Sequence, residues 1–190
     1  VYMILEDILS LTPSAFAKKS IDASLWFAKE LARLRVIGNT IQEDLQTYTL
    51  PPLELGHMYM YEYDAKLKDK LPYFDRFPVV IIIERYETGF LGINFHYIPP
   101  LKRAEVLDAL LKYWNEEDDE IEMRYQLLKK ISKLKWAKPC LKQYLYSYIG
   151  SRITEVPAEY WEVVVMLRTQ QFNINANTVY KESRKKVNIL

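Results

Sequence analysis

A β-hairpin in the middle of the chain is the feature that most constrains the fold. Residues 79–85 form one predicted strand that begins with five apolar, β-branched residues, Thr88-Gly89 supplies a turn, and residues 90–98 form a second predicted strand that Pro99-Pro100 ends. Such runs on either side of a short turn favour paired antiparallel strands, and proline cannot continue a central strand. The sequence therefore predicts an antiparallel hairpin.

A strand before the hairpin is indicated by alternation along residues 56–63. One side of this strand carries Met58, Met60 and Glu62. The other side carries Tyr59, Tyr61 and Tyr63. A period of two residues is that of a β-strand. Tyrosine is abundant throughout the chain, with 15 residues against 7 Phe and 4 Trp.

The strand tyrosines have two interpretations. Because tyrosine suits half-buried strands and protein interfaces, we predict core or interface packing for them, and we assign Trp26 and Phe27 to the same protein interface. The alternative is a stacking platform for single-stranded bases, formed together with the aromatic residues of the hairpin.

Helices are predicted on both sides of the strands from the spacing of apolar residues. The predicted helices cover residues 13–37, 40–48, 101–114, 121–135, about 140–148 and 177–186. Two further strands are predicted at 152–157 and 163–167, around a single turn at 158–161. The polar stretch 64–77 and the acidic run 116–120 are predicted loops.

This order of elements predicts an α+β fold with a small, mostly antiparallel sheet. An SH3-like barrel with inserted helices is one topology that fits the order of strands. We expect residues 1–55 to form an amino-terminal helical arm. Residues 56–190 then form the α+β domain, with a helical insertion at about 101–149.

The composition excludes several classes of protein. With 26 Lys and Arg against 25 Asp and Glu, the net charge of +1 provides no whole-molecule attraction to nucleic acid or anionic membranes. No apolar stretch is long enough to span a membrane. One cysteine cannot form an internal disulfide, which is typical of a chain made in a reducing cytosol, and two histidines are too few for a structural zinc site. The five glycines form no phosphate-binding loop. We expect no cofactor and no metal.

Catalytic residues are equally hard to assign. Cys140 would need His57 or His96 beside it, and all three are interpreted as packed residues. A metal-dependent nuclease could use Asp75 and Glu84 as ligands. However, Tyr86 stands where such a site needs lysine. We therefore predict that the protein is not an enzyme, with the nuclease kept as an alternative.

Local basic charge supports binding to nucleic acid. Between residues 121 and 142, seven basic residues face a single acid, Glu122, which gives a local net charge of +6. These candidate DNA-binding residues are Arg124, Lys129, Lys130, Lys133, Lys135, Lys138 and Lys142, joined by Arg184, Lys185 and Lys186 near the carboxyl end. Helical periodicity places Lys129, Lys130 and Lys133 opposite the apolar stripe, where they can follow a phosphate backbone. The alternative is an ordinary solvated helix face, neutralised by the acids at 116–120.

Four segments carry longer strings of residues that together resemble a known family. They are residues 56–68, 71–78, 89–100 and 138–145, within a similarity that extends from about Leu25 to Lys186 and includes Trp161. The family is that of the DNA end-protector proteins of T-even-like tailed phages, myoviruses of marine and cyanobacterial hosts. The resemblance implies a minor virion protein that caps packaged DNA in the head, and it offers no catalytic residues to carry over.

Two functional hypotheses result. In the first, the protein lies at the head vertex or neck of the virion and contacts double-stranded DNA ends through its basic residues. In the second, it is a tail or baseplate adaptor that binds only other virion proteins, through the amino-terminal arm and the aromatic sheet. Both hypotheses imply a chain made in the host bacterial cytoplasm and incorporated into a symmetric assembly with portal, neck, tail or baseplate proteins.

Overall fold

A five-stranded antiparallel sheet forms the centre of the computed structural model, which describes residues 53–98, 100–111, 118–156, 158–165 and 170–188. The helices predicted at 13–37 and 40–48, together with Trp26 and Phe27, lie outside these residues. The strands are β1 (Met58–Met60), β2 (Val79–Tyr86), β3 (Gly89–Asn94), β4 (Leu141–Leu145) and β5 (Thr154–Glu155), in the order β4-β3-β2-β1-β5.

The predicted hairpin is confirmed as β2 and β3. Their register runs from Val80 opposite Asn94 to Tyr86 opposite Gly89, with an irregularity between Ile82 and Glu84. Gly89 is required by close packing, since a Cβ there would lie 1.9 Å from the carbonyl oxygen of Tyr144 on β4. The hairpin is therefore locked to its neighbouring strand.

In the part of the chain that the structure describes, four helices and four 3₁₀ segments surround the sheet. The helices are α1 (Pro100–Leu111), α2 (Asp118–Lys133), α3 (Trp161–Val164) and α4 (Ala176–Asn188). The 3₁₀ segments are Phe95–Tyr97, Lys135–Cys140, Tyr146–Tyr148 and Ala158–Tyr160. The predicted helix at 121–135 and the closing helix at 177–186 are confirmed, and none of the described helices is long and apolar enough to cross a membrane.

The sheet is buried on both faces, which explains the alternation along β1. Met58 and Met60 pack with the inward residues of the helices in one apolar cluster. Tyr59, Tyr61 and Tyr63 belong to a second cluster on the opposite face. This second cluster is completed by Leu53, Val80, Ile82, Phe90, Tyr144 and Ile153. Both sides of the strand are thus core.

The fold class is α+β, as predicted, whereas the SH3-like barrel is not confirmed. The described strands form an open sheet that ends at β4 and β5. After β4, the chain turns through a 3₁₀ segment and returns beside the chain that follows β1. There the amide of Asp64 donates to the carbonyl of Tyr148, and that of Gly150 donates to Glu62, both at 2.9 Å.

Two predicted strands are partly helical instead. Residues 95–97 form a 3₁₀ turn because the Asn94 side chain accepts a hydrogen bond from the His96 amide, at 2.9 Å, and ends the strand. Residues Trp161–Val164 form the short helix α3, so the strand predicted from Val163 was wrong at its start. In each case a continuous apolar run is compatible with either structure, because periodicity is weak over so few residues.

The helix predicted over about 140–148 was wrong, because residues 141–145 form β4. Their backbone pairs with β3, from Leu141 opposite Ile93 to Leu145 opposite Gly89. The acidic run was also misassigned in part, since Asp118–Glu120 form the first turn of α2. Acidic residues are favourable there because they complement the positive end of the helix dipole.

Candidate nucleic-acid interface

Helix α2 presents lysines on the side away from the core. Leu128 and Ile131 are buried against the sheet, whereas Lys129, Lys130 and Lys133 are exposed. The Lys129 ammonium lies 4.4 Å from the centre of the Tyr125 ring, a cation–π contact along one helix face. The predicted orientation of these three lysines is therefore correct.

The 3₁₀ segment Lys135–Cys140 follows α2 in the chain and packs against both α2 and α4. It buries Ala137 and Cys140 and leaves Lys135 and Lys138 exposed. The segment contacts both α2 and α4, so two helices that are far apart in the sequence pack against the same short segment. This proximity is a property of the fold, and nothing in the local sequence pattern indicates it.

Helix α4 adds a third group of cations. Val179 and Ser183 face the interior, whereas Lys181, Arg184 and Lys185 are exposed. Lys185 forms an ion pair with Glu182 at 2.8 Å. We call the exposed cations of these three elements the basic surface: Lys129, Lys130, Lys133, Lys135, Lys138, Lys181, Arg184 and Lys185. Of the other predicted DNA-binding residues, Arg124 and Lys186 belong to α2 and α4.

Part of the basic surface carries positive charge that no described carboxylate neutralises. Within the described ranges, Lys130, Lys133, Lys135 and Lys138 form no ion pair with a carboxylate. Lysines that are neither buried nor paired are free to meet an external anion. Geometry and charge together suit a polyanionic partner.

Lys142 is placed differently from the other predicted DNA-binding residues. It lies half-buried on β4, with its ammonium 4.1 Å from the centre of the Tyr97 ring and 5.9 Å from that of Tyr73. It also lines a cavity of about 320 Å³ between β4 and the loop that follows β1. The walls of this cavity come from four separate segments, so no local sequence pattern indicates it.

The strand tyrosines proposed for a protein interface are inside the molecule. Tyr59, Tyr61 and Tyr63 are 3 %, 0 % and 8 % exposed, and Tyr61 makes edge-to-face contacts with Phe90 and Tyr144. Their rings stabilise the second core cluster, so core packing is the interpretation that the structure supports. Tyr59 and Tyr61 therefore offer almost no surface for base stacking, whereas Tyr63 lines the cavity beside Lys142.

Asp75 and His96 form a buried ion pair beneath the cavity. Their side chains are almost completely buried, with Asp75 Oδ2 2.6 Å from His96 Nδ1. The other carboxylate oxygen accepts from the amides of Phe77 and Gln171, at 3.1 Å and 3.0 Å. Burial alone would raise the pKa of Asp75, but the charge of His96 and these hydrogen bonds outweigh it and hold the pKa below its usual range.

The candidate catalytic residues make hydrogen bonds within the protein or are buried in its core. His96 is packed and hydrogen-bonded, as predicted, and Glu84 is exposed and accepts a hydrogen bond from Tyr86 at 3.0 Å. Cys140 is buried, and burial raises the pKa of its thiol to about 12. No group of three or more His, Cys, Asp or Glu in the described part of the chain is arranged to hold a metal ion.

Comparison with known proteins identifies the family. The family model described as phage T4 terminal DNA protecting protein matches residues 15–188, which is most of the chain. The comparisons with curated proteins and with solved structures gave no match. The matched span contains every element of the described fold, including the whole basic surface. The chain therefore belongs to the phage T4 terminal DNA protecting protein family.

Proposed function

We propose that the protein is a structural component of a tailed-phage virion that binds the ends of packaged DNA, at the head vertex or neck, without catalysing a reaction. The observation that carries the proposal is the basic surface, because three elements contribute exposed cations to it on a molecule whose net charge is only +1. Family membership supports the same partner. The neighbours of the protein at that position would be portal or neck proteins.

The expected mode of binding is electrostatic. Each lysine that neutralises a phosphate releases a condensed counterion, so affinity falls steeply as the salt concentration rises. Such contacts position a protein on the backbone and read no sequence. A capping protein of this kind would bind ends of different sequence about equally well.

Charge reversal tests the assigned surface. We expect the double variant Lys130→Glu/Lys133→Glu to bind linear duplex DNA at least about tenfold more weakly, with the slope of log K against log salt reduced by about two. The matched control is Arg85→Glu/Arg152→Glu, which makes the same change of charge on exposed residues outside the basic surface. Fluorescence anisotropy across a salt series measures both quantities. Equal losses in the two variants, or no loss in either, would contradict the assignment.

A preference for ends is tested separately with a duplex closed by hairpin loops at both termini. We expect this closed duplex to compete poorly against the open duplex of the same sequence, because the protein caps ends. The corresponding functional readout is resistance of the open duplex to an exonuclease in the presence of the protein. If closed and open duplexes competed equally, the protein would bind DNA without capping it.

A further inference from the structure

The cavity between β4 and the loop after β1 has aromatic walls and a cationic rim. Five aromatic residues line it: Tyr63, Tyr73, Phe74, Tyr97 and Tyr144. Its volume of about 320 Å³ is at the lower end of the range for small-ligand pockets. Leu67 and Leu71, which are 52 % and 40 % exposed, also line it. The cavity thus offers aromatic and aliphatic side chains to a partly apolar group.

The charges around the cavity favour an anion at its mouth. Lys142 and Lys66 both line it. Among the described lining residues, the only carboxylate is Asp75, whose Oδ2 accepts from the Asn94 amide and lies 2.6 Å from His96 Nδ1. Its oxygens are therefore engaged within the protein. A ligand with an apolar ring and an acidic group complements this arrangement.

The cavity also adjoins the basic surface along the chain. Lys142 follows the 3₁₀ segment Lys135–Cys140 by two residues, and Lys135 and Lys138 of that segment belong to the basic surface. Lys138 and Lys142 are four residues apart in the chain, so a nucleic-acid strand that contacted both would lie beside the cavity. This continuity is the reason to consider a nucleotide before an isolated small molecule or a peptide.

We propose that the cavity receives an unpaired terminal nucleotide of the DNA end, with the base against the aromatic walls and its phosphate near Lys142. This inference rests on the proposed function, since it specifies which part of the DNA end the protein holds. Aromatic rings bind bases of any sequence, because every base has a π-face. The basic surface would hold the duplex, and the cavity would distinguish an end from the interior of a duplex.

Four DNA probes test the proposal on the full chain. They share one hairpin duplex and differ at the open end: blunt, a three-nucleotide 3′ overhang, a three-nucleotide 5′ overhang, and the preferred overhang with an abasic last nucleotide. We expect one overhang to bind about tenfold more tightly than the blunt end, and the abasic probe to lose that gain. The abasic probe keeps every phosphate, so it separates seating of the base from added charge.

Two variants and one control connect the preference to the cavity. We expect Leu67→Gln/Leu71→Gln and Lys142→Gln each to reduce the overhang preference to about threefold or less. The matched control is Leu134→Gln/Tyr86→Gln, which changes two large apolar residues of similar exposure, 46 % and 38 %, outside the cavity. We expect this control to keep the full preference. Circular dichroism and thermal unfolding of each variant establish that it is folded.

Photo-crosslinking gives a readout that does not depend on affinity. A 5-iodouracil base at the last overhang position should crosslink within residues 71–76, the tryptic segment that contains Tyr73 and Phe74. The same base placed inside the duplex should not crosslink there. A crosslink of the terminal base that mapped only to other segments would overturn the proposal.

The outcomes separate this inference from the function on which it rests. If blunt and overhang probes bind equally well while Lys130→Glu/Lys133→Glu still weakens both, the cavity proposal fails and the DNA-binding function stands. If no probe binds, the proposed function itself fails. If the cavity variants bind every probe normally but are no longer incorporated into particles, the cavity holds another virion protein and the nucleotide proposal is overturned.

Discussion

Among single residues, Asp75 makes contacts that tie several parts of the chain together. Its carboxylate joins β3 through Asn94, the following 3₁₀ turn through His96, and the segment before α4 through the amide of Gln171. The sequence analysis marked Asp75 only as a possible metal ligand. Its real partners lie far away in the chain, and local periodicity contains no information about them.

Replacing Asp75 with Asn should destabilise the protein by about 3 kcal/mol at neutral pH, because the amide group that replaces Oδ2 cannot accept the buried hydrogen bond from Asn94 and removes the carboxylate beside the buried His96 ring. The folded-state pKa of Asp75 is lowered, so its stabilising contribution is fully present above the ordinary carboxylate pKa and is lost as the pH falls through the folded-state value. The difference in unfolding free energy between the two proteins should therefore shrink below about pH 4. Urea unfolding at several pH values measures it.

The exposed pair of His57 and Glu155 provides the matched control. The two atoms are 2.7 Å apart, but the side chains are 24 % and 50 % exposed, so solvent screens the interaction. Glu155→Gln should cost at most about 1 kcal/mol. Equal losses for Asp75→Asn and Glu155→Gln would mean that burial of the Asp75 pair is energetically unimportant.

At the scale of elements, Arg103 joins three helices. Its buried guanidinium on α1 donates to the carbonyl oxygens of Ile98, His96 and Val165 and to the hydroxyl of Tyr180 on α4, at distances from 2.6 to 3.1 Å. Burial lowers the pKa of Arg103. This side chain thus supplies hydrogen-bond donors to backbone carbonyl oxygens at two places: where the 3₁₀ turn meets α1, and where α3 ends.

We expect Arg103→Met to destabilise the protein by at least about 3 kcal/mol, because it fills the space but leaves several buried acceptors without a donor. Arg85→Met is the matched control: Arg85 is exposed and donates one hydrogen bond, at 2.9 Å, to the carbonyl of Leu53. Its loss should cost about 1 kcal/mol. Thermal and urea unfolding of both variants compare the two. A loss for Arg103→Met as small as that for Arg85→Met would show that the network is dispensable.

Which elements could be predicted depended on the length and strength of their patterns. Helix α2 was predictable because its apolar periodicity continues over many residues. The β2–β3 hairpin was predictable because β-rich segments lie on both sides of a short turn. Strand β4 was missed, since Leu141–Leu145 is short and only its pairing with β3 distinguishes it from a helical turn. The lysines of α2 were likewise predictable, whereas their proximity to α4 depends on how the 3₁₀ segment packs.

On the scale of the whole molecule, the sheet separates two cores with different chemistry. The helix-covered side is mainly aliphatic, whereas on the other side four tyrosines and Phe90 pack among aliphatic residues. The abundance of tyrosine was visible in the composition, and its location was not. Alternation along β1 shows that the tyrosines share a side, but it cannot show that the chain on both flanks of the sheet folds back to cover that side.

The tyrosine core has a consequence for behaviour in alkali. Burial raises the pKa of Tyr59 to about 12 and also raises the pKa values of Tyr61, Tyr63 and Tyr144. In the unfolded chain these phenols ionise near pH 10, so the folded state retains protons that the unfolded state releases. Stability should be unaffected by these groups below about pH 10 and should then fall by up to about 1.4 kcal/mol per pH unit for each retained proton.

Tyr61→Phe is the informative variant for this effect, because it removes one fully buried ionisable phenol and keeps the aromatic ring. Its unfolding free energy should decline less steeply than that of the wild type above about pH 10. Parallel curves would contradict the assignment. Because the folded protein holds several phenolic protons that the unfolded chain loses near pH 10, the tyrosine core makes unfolding in alkali a step that releases several protons at once.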